Sequence, residues 1–154
     1  MEHNRKVLPA EALIPELLEM LEQAEAVPLT VTGSSMTPFL QPERDTVYLT
    51  KPTFPLHRGQ MVLYRRSNGR YVLHRIYDVT AEGLQLIGDG QSTIEPRIAP
   101  EQVVAGVSAV RRKGKLLKPG HPVWVFYEKL WIRMIPMRPR IRGLLGRLSF
   151  KNRK

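Results

Sequence analysis

Cysteine is absent from the 154 residues. That excludes disulfide staples, thiolate metal sites and a cysteine nucleophile, and it leaves the redox compartment open. Long apolar runs are absent too. No stretch reaches the roughly eighteen uncharged apolar residues of a spanning helix. The first residues lack the unbroken apolar core of a secretory signal: Met1–Lys6 is polar, and Pro9, Glu11, Pro15, Glu16 and Glu19 interrupt the apolar residues after it. The expectation is a chain without signal peptide or spanning helix, cytoplasmic or peripheral to a membrane. Metal-ligand spacings such as His-x-His or Glu-x-x-His are missing, so no metal and no cofactor are expected. His3 falls in a chain end expected to be disordered. His57 and His121 fall in loop contexts beside Arg58 and Pro122.

The residues that are present suffice for one domain. Apolar residues make up 42% and charged residues 25%, which excludes a wholly disordered or collagen-like chain. Thirteen prolines disfavour long helices and favour strands joined by loops. The charge of +10 is uneven. Residues 1–27 carry six acidic side chains against two basic, and residues 121–154 carry nine basic against one acidic. Such a basic tail suits anionic lipid, nucleic acid or an acidic partner.

The patterning divides the chain into three segments. Residues 1–27 read as an amphipathic helix, with Leu13, Leu17, Met20 or Leu21 and Ala24 at helical spacing. Its regular part is expected to start near Ile14, with Pro15 in the first turn, and Val27-Pro28 to end it. Residues 28–120 read as a β domain. Leu29–Thr32, Thr46–Thr50, Leu84–Ile87 and Val103–Arg111 are short β-like runs, and Ser67-Asn68-Gly69-Arg70 predicts a hairpin over Met61–Val79. The expected fold is mainly β, a coiled sheet or partly open barrel. Residues 121–154 form an aromatic and basic helical tail, with Trp124, Tyr127, Trp131 and Met134 on one helical face and Pro136 and Pro139 expected to stop the helix.

Three points of the β region could carry chemistry: Gly33-Ser34-Ser35-Met36-Thr37-Pro38, Val72-Leu73-His74-Arg75-Ile76 and Gly88-Asp89-Gly90. A serine hydroxyl attacks only when a base takes its proton, and a carboxylate on the far nitrogen of a histidine fixes the tautomer. Taken singly, Ser35 and Asp89 are ordinary turn formers and His74 an ordinary strand histidine. Spacing alone does not bring them together.

Their order and context do resemble a family. Gly33-x-Ser35-Met36-x-Pro38-x-Leu40 is similar to the nucleophile motif of the signal peptidase I / LexA-like serine peptidases. Val72-Leu73-His74-Arg75-Ile76 resembles the strand bearing the base in the endoplasmic-reticulum and archaeal branch, where that base is histidine. Ile87-Gly88-Asp89 resembles the following Gly-Asp motif, and Val104-Ala105-Gly106-Val107 the strand that closes the family fold. The resemblance covers roughly residues 28–112. It implies Ser35 as nucleophile, His74 as general base and Asp89 as its orienter, with Glu95 a spare candidate for the acid. It further implies an oxyanion and substrate-binding loop of Ser34, Ser35, Met36 and Pro38, with the Ser35 N–H as main donor. The implied substrate is an extended peptide, added as a strand, with small residues before the cut. Gly59-Gln60 stands where the family often has Gly-Asp, and no spanning anchor is present. A catalytically inactive peptide-binding or membrane-surface module is therefore the alternative. Self-cleaving repression is not expected: the residues before Ser35 are too few for a helix-turn-helix domain, and the sole Ala-Gly pair, Ala105-Gly106, lies in a core strand.

For the tail, docking of its aromatic part on the β domain is the first expectation. Contact of Arg138, Arg140, Arg142 and Arg147 with an anionic membrane surface is the second. Nucleic acid is not expected as a partner, because no recognition motif accompanies the charge.

Overall fold

The computed structural model describes residues 10–151, and side-chain surroundings for residues 12–147 among them. Met1–Lys6 and His3 lie outside that range. Helix α1 spans Ala10–Leu21. Seven strands come after it: β1 Val27–Thr30, β2 Thr46–Thr50, β3 Met61–Arg65, β4 Tyr71–Thr80, β5 Gly83–Ile87, β6 Val103–Arg112 and β7 Lys115–Leu117. They form one antiparallel sheet in the order β1-β2-β6-β3-β4-β5, with β7 paired to β6. The path is open; β1 and β5 are its edges, and no barrel closes.

The hairpin expected over Met61–Val79 is β3–β4, with Leu63 opposite Leu73 and Val62 opposite His74. Gly69 takes the positive φ that its tight turn requires. Two expectations are corrected. Helix α1 starts earlier, holds Pro15 inside it and ends at Leu21. Val27 and Pro28 belong to β1, because Val27 is buried and pairs with Leu49 of β2. Pro28 sits on an edge strand, where its missing N–H costs no ladder bond.

Strand β3 is buried on both faces, so its two faces serve two cores. Met61 and Leu63 join one core with Phe39, Val47, Leu49, Trp124, Tyr127 and Trp131. Val62 and Tyr64 join the other with Ile76, Leu84, Leu86 and Val103. Side chains alternate along a strand, so the β4 neighbours His74 and Arg75 enter different cores.

The tail docks. Helix α2 covers Pro122–Val125, capped by the imidazole of His121, whose Nδ1 accepts the Val123 N–H at 3.2 Å. A π-helical turn over Phe126–Leu130 and 3-10 turns over Trp131–Arg133 and Ile135–Met137 lead to α3, Arg138–Lys151. Trp124, Tyr127 and Trp131 are buried and Met134 is half-buried. Pro136 and Pro139 do not end the tail's helical structure: Pro139 is the second residue of α3, where its missing N–H is tolerated. No helix among the described residues is long and apolar enough to cross a membrane.

Candidate active site

The Gly33–Pro38 loop leaves β1 and runs onto the turn after β5. The Ser35 carbonyl accepts the Gly90 N–H at 2.8 Å. A side chain on Gly88 would place its Cβ 2.4 Å from the Ser35 carbonyl oxygen and 3.1 Å from Ser35 Cβ; one on Gly90 would meet the Thr37 carbonyl oxygen at 2.9 Å. The glycines of Gly88-Asp89-Gly90 are thus required by the close approach of the serine loop.

The ladder joins Arg75 to Ile87 and Ile76 to Leu86. The ladder ends there, so Gly88, against which Ser35 packs, follows directly on the residue paired with the neighbour of His74. Ser35 is half-buried and Ser34 exposed. Among the described residues neither uses its N–H in a hydrogen bond, which leaves two backbone donors beside the Ser35 hydroxyl. Ser35 lines a cleft of about 220 Å³ with Leu29–Gly33, Met36, Leu63 and Tyr71–Leu73; Ile14 of α1 closes one side. Met36 is a core residue that also lines this cleft, whereas Pro38 does not border it.

His74 is 1% exposed. Its Nδ1 lies 3.2 Å from Tyr64 Oη and 3.8 Å from Glu95 Oε1. Its Nε2 is buried and has no hydrogen-bond partner among the described residues, so no hydrogen bond joins it to Ser35 Oγ. Burial, helped by the positive charge of Arg66, pulls its pKa down to about 4. The imidazole is therefore neutral at pH 7, the form in which it can accept a proton.

The acidic residues correct the expected assignment. Asp89, fully buried, gives both carboxylate oxygens to Arg75: Nε donates to Oδ1 and Nη2 to Oδ2, each at 2.9 Å. Alternation along β4 turns Arg75 away from the face of His74, and Asp89 follows Arg75. Its carboxylate holds a buried arginine and does not orient the imidazole. The carboxylate beside His74 is that of Glu95, itself held by Arg66 Nη2 at 2.5 Å.

Two groups of residues escaped the sequence reading. Tyr64 and Arg66, at the end of β3 and just beyond it, complete the surroundings of Nδ1. The periodicity of Met61–Arg65 showed that Tyr64 would share a face with Val62, but which β4 residue it would meet depended on register. The tail supplies the rest. Trp131 Nε1 donates to the Asp89 carbonyl at 2.7 Å, and Arg138 Nη1 donates to the carbonyls of Gly88 at 3.0 Å and Gln91 at 2.9 Å. Arg138 is 0% exposed, so it is corrected from a membrane-facing residue to a buried brace of the turn. Arg142, although exposed, donates to the Gly90 carbonyl. Arg140 and Arg147 are exposed.

Comparison with protein-family models, with curated proteins and with solved structures finds no match to this chain.

Proposed function

We propose that the chain is a serine endopeptidase, similar in kind to the signal peptidases, in which Ser35 is the nucleophile and His74 its general base. One observation carries the reading. A neutral, buried imidazole has one nitrogen engaged and the other unpartnered, and the serine loop packs against the glycine that follows β5, the strand paired with the residue next to it. In the reaction the Ser35 hydroxyl attacks the scissile carbonyl and Nε2 takes its proton. Loss of the amine, which regains that proton, leaves an acyl-serine that water hydrolyses. The unengaged N–H groups of Ser34 and Ser35 would receive the developing oxyanion. The acid assisting His74 is Glu95 rather than Asp89, because Glu95 lies beside Nδ1 and Asp89 is taken up by Arg75.

The substrate is an extended peptide. Strand β1 is an edge with unpaired backbone groups, and the cleft between it and Tyr71–Leu73 is small and mostly apolar. A strand laid there would gain main-chain hydrogen bonds from the edge, and the cleft admits only a small side chain before the cut. A second partner is an anionic membrane surface, met by Arg140 and Arg147 beside the exposed Met137 and Leu144. Arg138 and Arg142, turned to the site, do not share in it. The corresponding location is the cytoplasmic side of a membrane.

The test is cleavage of a peptide library with small residues before the scissile bond. Wild type should cleave and Ser35→Ala should not, at unchanged Tm. Equal cleavage by Ser35→Ala removes Ser35 from the mechanism, and an inert wild type removes the peptidase. The missing hydrogen bond between Ser35 and His74 favours one competing reading, a module that binds such peptides without turnover. Binding with no cleavage would select it. Sedimentation with vesicles of anionic against neutral lipid tests the surface; binding that survives Arg140→Ala/Arg147→Ala discards it.

A further inference from the structure

His74 Nδ1 faces Tyr64 and Glu95, two residues that line a second cleft of about 290 Å³ with Arg66, Asn68 and Arg97. The polar groups there have little freedom in how their protons are arranged. The guanidinium of Arg66 can only donate; it bonds Glu95. The Glu95 carboxylate, paired with Arg66, only accepts. Tyr64 is buried and keeps its proton, since burial and the charge of Glu95 both push its pKa up. It has one proton to give and two lone pairs to fill.

The neutral imidazole of His74 also has one proton, on Nδ1 or on Nε2. On Nε2 it would be a buried N–H with no acceptor, an arrangement native structures rarely hold. On Nδ1 it meets the Tyr64 oxygen at 3.2 Å and the attraction of a carboxylate oxygen at 3.8 Å.

We propose that Tyr64 is the positioning residue of the imidazole: its hydroxyl accepts the Nδ1–H of His74, which leaves the lone pair on the unpartnered Nε2. The assignment deepens the peptidase reading, and its effect on rate rests on that reading. The tautomer itself does not.

The experiment is a long-range nitrogen–proton NMR spectrum of the full chain labelled with ¹⁵N-histidine at pH 7, with His74 assigned by comparison with His74→Gln. Wild type should show a protonated Nδ1 and a pyridine-like Nε2. Tyr64→Phe should shift both nitrogens toward a tautomer mixture and lower kcat at least about tenfold with KM little changed. A wild-type resonance protonated on Nε2 overturns the proposal whatever the variant does. So does a Tyr64→Phe spectrum with both shifts unmoved. Cleavage independent of Ser35 would sink the peptidase reading and leave the tautomer measurement to decide this one.

Discussion

His74 and Arg75 are neighbours in the chain and opposites in the fold. Both are about 1% exposed. Arg75 is saturated: two bonds to Asp89, one from Nη1 to the Gly59 carbonyl at 2.8 Å, and the Phe39 ring 5.5 Å away. His74 is left incomplete, with one nitrogen orphaned and its pKa pulled down by burial. A buried charge is tolerated only when fully paired. A buried neutral ring can keep one nitrogen unpaired, and that nitrogen is then available for proton transfer. Saturation marks the structural residue and incompleteness the candidate for chemistry.

The comparison is broken hardest at Asp89. Removing it strands the Arg75 charge, so Asp89→Ala should cost about 3–5 kcal/mol in urea unfolding. Glu95→Gln, whose side chain is 19% exposed, should cost far less and act on kcat. Equal stability losses would erase the contrast.

Acid tests His74 next. Its folded pKa of about 4 lies below the ordinary 6.5, so the unfolded chain binds the proton more tightly. Stability should be full above pH 6.5 and fall as the pH drops toward 4. The loss amounts to about 3 kcal/mol at most. His74→Gln should remove that part of the Tm–pH slope. In a peptidase the same group would put the acid limb of kcat/KM near pH 4 rather than 6.5.

Gly88→Ala comes third. Its Cβ would stand 2.4 Å from the Ser35 carbonyl oxygen, and the serine loop must move, at about 1–3 kcal/mol, with loss of cleavage larger than the loss of stability implies. The smallest effect is at Lys51→Ala. Its ion pair with Glu22, at 3.3 Å, joins two exposed side chains, so Tm should barely change; a large shift would undo the ranking by burial.

Much of the fold was legible because strand and turn signals are local. The hairpin, the strand over Val103–Arg111 and the β5 run emerge at nearly their expected bounds. The boundary that failed, Val27-Pro28, was decided by pairing with β2, a partner some twenty residues away. At the candidate site, Ser35 and His74 stood out as candidates by their motifs, and the turn at Gly88-Asp89-Gly90 was legible from its turn chemistry. The partner of Asp89 was harder to read, although an arginine beside a strand histidine must face the other way. The grip of Trp131 and Arg138 on the turn had no local signal at all.

By itself the sequence determined the elements, the antiparallel character of the hairpin and the residues able to do chemistry, because propensity, alternation and turn geometry act over a few residues. Only the tertiary structure decided that Asp89 pairs with Arg75 and that Glu95 lies beside His74. That choice depends on register between β4 and β5 and on the docking of a distant tail, where the demand to pair every buried charge outweighs proximity along the chain.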